Sequence, residues 1–182
     1  MTPDGETAYR FLVEKPAQYG NMLGYPDLRD DLHGHWIRKM VLGHADMTLQ
    51  AHRGSYKTTC DCIALSINIL LRGDMNSIFM RKTEADIKEV IVNVDRILRE
   101  PVTQELYRAL TGQQLGIIRS TNSEITTTSY TAPRGAAQLL GIGISVKQSS
   151  LCHGVPVLMI RPPGLQMLCS SMYTFFVCSR SA

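Results

Sequence analysis

The chain has 182 residues, 44% of them hydrophobic, which suits one domain with a sizeable core. Its formal net charge of +3 comes from the end of the chain. All 16 acidic residues lie at or before Glu124, whereas residues 125–182 carry only Arg134, Lys147, Arg161 and Arg180, so the charge does not describe a nucleic-acid-binding face.

Residues 1–39 hold scattered Pro, Gly and Tyr and are expected to wrap the domain. The start, Met-Thr-Pro-Asp-Gly-Glu, does not read as a signal peptide. No apolar run reaches the length of a membrane span. His33-x-His35 could suggest a ligand pair, but a polar helix entry with Trp36 packed on a sheet edge is the plainer reading. Met47 to Leu49 form a short apolar strand candidate, and Thr58 to Leu71 a long apolar helix. Between them lies Gln50-Ala51-His52-Arg53-Gly54-Ser55-Tyr56-Lys57. A strand, a tight loop ending in Lys-Thr and a helix form the context of a phosphate-binding loop. The generic glycines are missing, because Ala51 and Tyr56 hold their places. Taken alone, the segment reads equally well as an ordinary turn with a capping Ser55 and a solvated Lys57.

Further along, Asn76–Met80 reads as a strand. Arg81 and Lys82 follow it as a solvated helix entry, near the place where parallel α/β sheets meet ligands. Thr83 followed by Asp86 reads as a helix N-cap. Ile87, Val90, Ile91, Val94, Ile97 and Leu98 then recur at helical spacing up to Pro101. A shorter helix runs from Thr103 to Gly112, and Leu115–Ser120 and Ile125–Tyr130 form a hairpin about Thr121-Asn122-Ser123. This order predicts an α/β domain with a mainly parallel sheet flanked by helices. Five cysteines without framework spacing predict reduced thiols, with Cys60-x-Cys62 a core pair.

The segments DMTLQAHRGSYKTT, SIFMRKTEADIKEVI, SEITTTSYTAPRGAAQLLGIGI and, more weakly, HGHWIRKMV resemble the ATPase domain of tailed-bacteriophage terminase large subunits. These are the motors that package viral DNA. The resemblance spans roughly residues 10–144. That family's phosphate loop also carries an arginine and a small or aromatic residue before the lysine, so Arg53 and Tyr56 fit it. The resemblance implies a P-loop NTPase fold that uses ATP and Mg²⁺. Lys57 would neutralise β/γ-phosphate charge, Thr58 would hold Mg²⁺, and Gly54, Ser55 and Tyr56 would offer amides. Arg53 would serve as an arginine finger, against the plainer reading of a solvated arginine at a loop tip. Double-stranded viral DNA, the capsid portal and the small terminase subunit would be partners, with homo-oligomers only in the intact motor. The setting would be the cytoplasm of an infected or lysogenic bacterium.

Such a motor needs an apolar strand ending in Asp with an acidic neighbour, to hold Mg²⁺ and polarise water. No Asp or Glu follows Glu124, and Asp95 sits inside a helical pattern. The domain, residues 40–144, thus reads as truncated before its second catalytic motif and inactive alone, with no nuclease domain. Residues 145–182 form an acid-free tail with three of the five cysteines. Either it is a genuine divergent terminus or the reading frame changes near residue 145. It is expected to pack poorly on the domain. The alternatives are a non-catalytic nucleotide-binding remnant and another P-loop NTPase of helicase or kinase type.

Overall fold

The computed structural model describes residues 3–43, 47–131, 137–143, 165–170 and 174–180, with backbone only for 47–48 and the last two segments. The helices are α1 (Pro3–Glu14), α2 (Pro16–Met22), α3 (His35–Leu42), α4 (Lys57–Leu71), α5 (Glu84–Arg99) and α6 (Pro101–Thr111). A π-helical turn, Asp30–Gly34, leads into α3. The strands are β1 (Met47–Leu49), β2 (Met75–Arg81), β3 (Ile117–Ser120), β4 (Glu124–Thr127), β5 (Leu139–Gly143), β6 (Leu165–Ser170) and β7 (Thr174–Arg180).

The architecture is α/β. Helix α4 is buried along its whole length from Cys60 to Leu70, as a helix that is apolar all round must be. Helix α5 buries Ile87, Val90, Ile91, Val94, Ile97 and Leu98 and exposes the opposite face. Its first turn is capped at Thr83, whose hydroxyl accepts from the Asp86 amide at 3.2 Å. Pro101 does more than stop α5. It opens α6, where a missing N–H costs nothing.

The sheet order is β1-β6-β7-β2-β5-β4-β3. The sheet is mixed rather than mainly parallel: β1–β6 and β2–β5 are parallel pairs, and the other four pairings are antiparallel. Two hairpins cause the difference. One is β3–β4, which returns to pair β5. The other is β6–β7, which enters between β1 and β2. Strands β1, β6, β2 and β5 still run the same way and end at one edge, with Leu49 in register with Ser170 and Arg81 with Gly143.

One expectation needs correcting. The tail does not pack poorly where it is described, since β6 pairs with β1 and β7 with β2. Thr174–Arg180 carries the strand formers Thr174, Phe175, Phe176 and Val177, and neither it nor Leu165–Ser170 shows a period, as suits strands inside a sheet. A frame change near residue 145 falls outside the described residues. Within the segment expected to wrap the domain, residues 3–39 form helices joined by turns. Ala8 and Leu12 of α1 are buried and α1 packs on α6. Tyr19 of α2 is fully buried, and its hydroxyl shares a 2.8 Å hydrogen bond with Thr103 of α6.

Candidate functional site

The loop 50–56 joins the C-terminal end of β1 to the first residue of α4, Lys57. Two left-handed residues lie within it, Gly54 at φ 84° and Tyr56 at φ 55°. Glycine takes this conformation freely, but in a residue with a side chain it costs about 1–2 kcal/mol. Tyr56 therefore stands, under strain, where the generic motif has glycine.

Ser55 does not cap α4. It is buried, and its hydroxyl donates to the His52 carbonyl at 2.8 Å. Tyr56 occupies the cap position and makes no side-chain cap bond, so no side chain at the cap accepts from the first-turn amides. Lys57 is not solvated either. It is half-buried, and its ammonium folds back to donate to the Ala51 carbonyl at the start of the loop. Thr58 and Thr59 are half-buried in the same turn, and Arg53 is exposed at the loop tip. The structure thus brings Gly54, Ser55, Tyr56, Lys57 and Thr58 together around one turn.

The segment before α3 braces this loop. The Tyr56 hydroxyl donates to Asp27 Oδ2 at 2.8 Å. The His33 ring is buried edge-on to Tyr56, with centroids 5.9 Å apart, and edge-on to Trp36 at 5.3 Å. Trp36 thus meets a neighbour in the π-helical turn and is partly buried against the core. His33 Nδ1 accepts the Arg29 amide at 3.0 Å. Tyr25 anchors the same segment to α5, where the Arg96 guanidinium lies 5.5 Å from its ring centroid.

Burial, with the Arg29 charge second, holds His33 below the ordinary histidine range; the Ser55 backbone and Asp31 act the other way. The fold therefore favours neutral imidazole. This contribution to stability is complete above the ordinary value of about 6.5 and is lost as pH falls below it, toward the folded-state value. The unfolding midpoint is expected to drop as pH falls below about 6.5, and to drop less in His33→Asn, which keeps an acceptor for Arg29. Equal pH slopes in the two proteins would refute this role for His33.

Arg81 departs from its expected solvated place. At the end of β2, its side chain is 15% exposed and lies 3.5 Å from Asp61, which is 2% exposed. Asp61 sits one turn beyond Lys57 on α4. Among the described residues, Arg81 Nε and one Nη are buried without a hydrogen-bond partner. Cys60 and Cys62 are buried on either side of Asp61, and burial followed by the Asp61 charge pushes the Cys60 thiol up to about 12.

Sequence reasoning did not single out Asp27 or Asp61. A lone acid inside an apolar helix was the available signal for Asp61. Nothing in the local pattern around Asp27 marks it. Position 170, the end of the strand beside β1, is serine, and the described strands place no carboxylate at that point of the sheet edge. Comparison of the chain with protein-family models, with curated proteins and with solved structures finds no match in any of the three.

Proposed function

We propose that this chain is the ATP-binding portion of a viral DNA-packaging motor of the terminase large-subunit kind. The observation that carries the reading is the Lys57 ammonium, folded back onto the loop's own Ala51 carbonyl at an α4 start whose cap residue makes no side-chain bond. A phosphate would replace that carbonyl as the partner of Lys57 and would meet open first-turn amides. Gly54, Ser55 and Tyr56 supply the turn, and Arg53 stands at the tip, where it can reach a transferring phosphoryl group.

The donor set fits Mg²⁺ only in part. Thr58 offers one hydroxyl oxygen, and magnesium sites normally add a carboxylate to substrate phosphates. We therefore assign no reaction step to a protein-held metal. In the intact motor, ATP hydrolysis would drive DNA translocation with the portal and the small subunit, in the cytoplasm of a bacterial host. For the chain itself, serine at the end of β6 favours a second reading, in which nucleotide is bound but barely turned over.

The test is ATP affinity of the purified chain against Lys57→Ala. Removing the ammonium is expected to weaken binding by roughly tenfold or more, the scale of one charge-assisted contact. Equal affinity in the two proteins would remove the phosphate-loop assignment.

A further inference from the structure

We infer that Asp27 and His33 are positioning residues that hold the phosphate loop in its binding shape. They do so by fixing Tyr56 in the conformation that glycine would otherwise supply. The inference rests on the ATP-site reading above and goes beyond it, because it assigns control of that site to the segment before α3.

Tyr56 is the only described residue other than glycine with positive φ. It directly precedes Lys57, so relaxing its backbone would tilt the first turn of α4 and move the ammonium away from the loop. Two side chains oppose that relaxation. Asp27 holds the phenol by a hydrogen bond, and the buried His33 ring blocks its swing. Both belong to one stretch, which Arg29 ties internally through its amide and Arg96 ties to α5 through Tyr25. A left-handed tyrosine is a strained state that survives only where neighbours enforce it. In a loop with glycine at this position, no such enforcement is needed. The segment before α3 therefore acts as part of the nucleotide site, and whatever loosens it lowers the site's affinity.

A double-mutant cycle on the full chain tests this, with ATP affinity read by calorimetry. Asp27→Ala removes the acceptor, at an exposed position where folding tolerates it. It is expected to weaken ATP roughly tenfold, matching the strain no longer opposed. Tyr56→Phe, which lacks the hydroxyl, should lose a similar amount. In a Tyr56→Gly background, Asp27→Ala should change affinity by less than about twofold, because glycine holds the loop shape unaided. A merely structural role for Asp27 would instead give the same loss in both backgrounds, and that result overturns the inference. So does an Asp27→Ala chain that binds ATP as tightly as the parent. Lys57→Ala separates the two levels of the argument. If it leaves affinity unchanged, the ATP site itself is gone and the latch with it. If it weakens ATP while Asp27→Ala does not, only the latch is gone.

Discussion

Supplied with ATP and Mg²⁺, the chain is expected to release phosphate at least on the order of a thousandfold more slowly than ordinary enzymes, which turn over about once per second or faster. The reason lies at the sheet edge. The strand beside β1 ends at Ser170, where the reading calls for a metal-holding acid. Two described carboxylates near the loop are committed elsewhere, Asp27 to the Tyr56 hydroxyl and Asp61 to Arg81. A thousandfold corresponds to about 4 kcal/mol of barrier lowering forgone, the scale of a lost catalytic electrostatic group. The measurement is steady-state phosphate release, with Lys57→Ala as the blank. Turnover near one per second that vanishes in Lys57→Ala would show that a catalytic acid is present after all. If Asp61→Asn also abolished it, Asp61 would be that acid.

The largest stability loss is expected from Asp61→Ala. Removing one partner of a buried ion pair strands the other charge, at a cost of about 3–5 kcal/mol. Arg81 would be stranded at 15% exposure, with its Nε already lacking a hydrogen-bond partner among the described residues. The pair is also long for a hydrogen bond at 3.5 Å. A buried ion pair is often replaceable by apolar residues of similar volume, so replacing both members with Asp61→Leu and Arg81→Met should restore most of the loss. Urea unfolding of the parent, the single variant and the double variant decides the matter. A single variant within about 1 kcal/mol of the parent would mean that Arg81 escapes to solvent, and the buried-charge account would fail.

The parts of the fold that could be read from the sequence are those with a period or a cap. Helix α5 announces itself by six apolar residues at helical spacing and by Thr83, and α4 by its length and the Lys-Thr that opens it. The N-terminal helices were hidden by residues that usually break helices. Pro3 and Pro16 stand at first helical positions, where proline is tolerated. Gly20 lies so close to Leu28 and Ile63 that a Cβ there would come within 2.4 Å of Leu28 Cδ1. It is a packing glycine, not a chain break. Strands β6 and β7 escaped because strands flanked on both sides need no alternation.

The loop was legible as a candidate, and Lys57 and Thr58 occupy the first helical turn, as strand–loop–helix reading requires. Its bracing was not legible. The contacts to Asp27 and His33 join residues more than twenty positions apart in sequence, and no local pattern encodes them. The Asp61–Arg81 pair joins α4 to the end of β2 in the same way.

The insertion of β6 and β7 between β1 and β2 also sets an order of assembly. Met47 finds its described sheet partner at Leu168, so β1 has to wait for a strand made long after it. Pairings of that separation close slowly, because the loop entropy is lost before any contact repays it. On a ribosome, α4, β2 and α5 could associate while β1 still lacked a neighbour. The hinge of the phosphate loop would then be the last part of this molecule to become rigid, and in amide exchange of the finished protein β1 should open before β2 does.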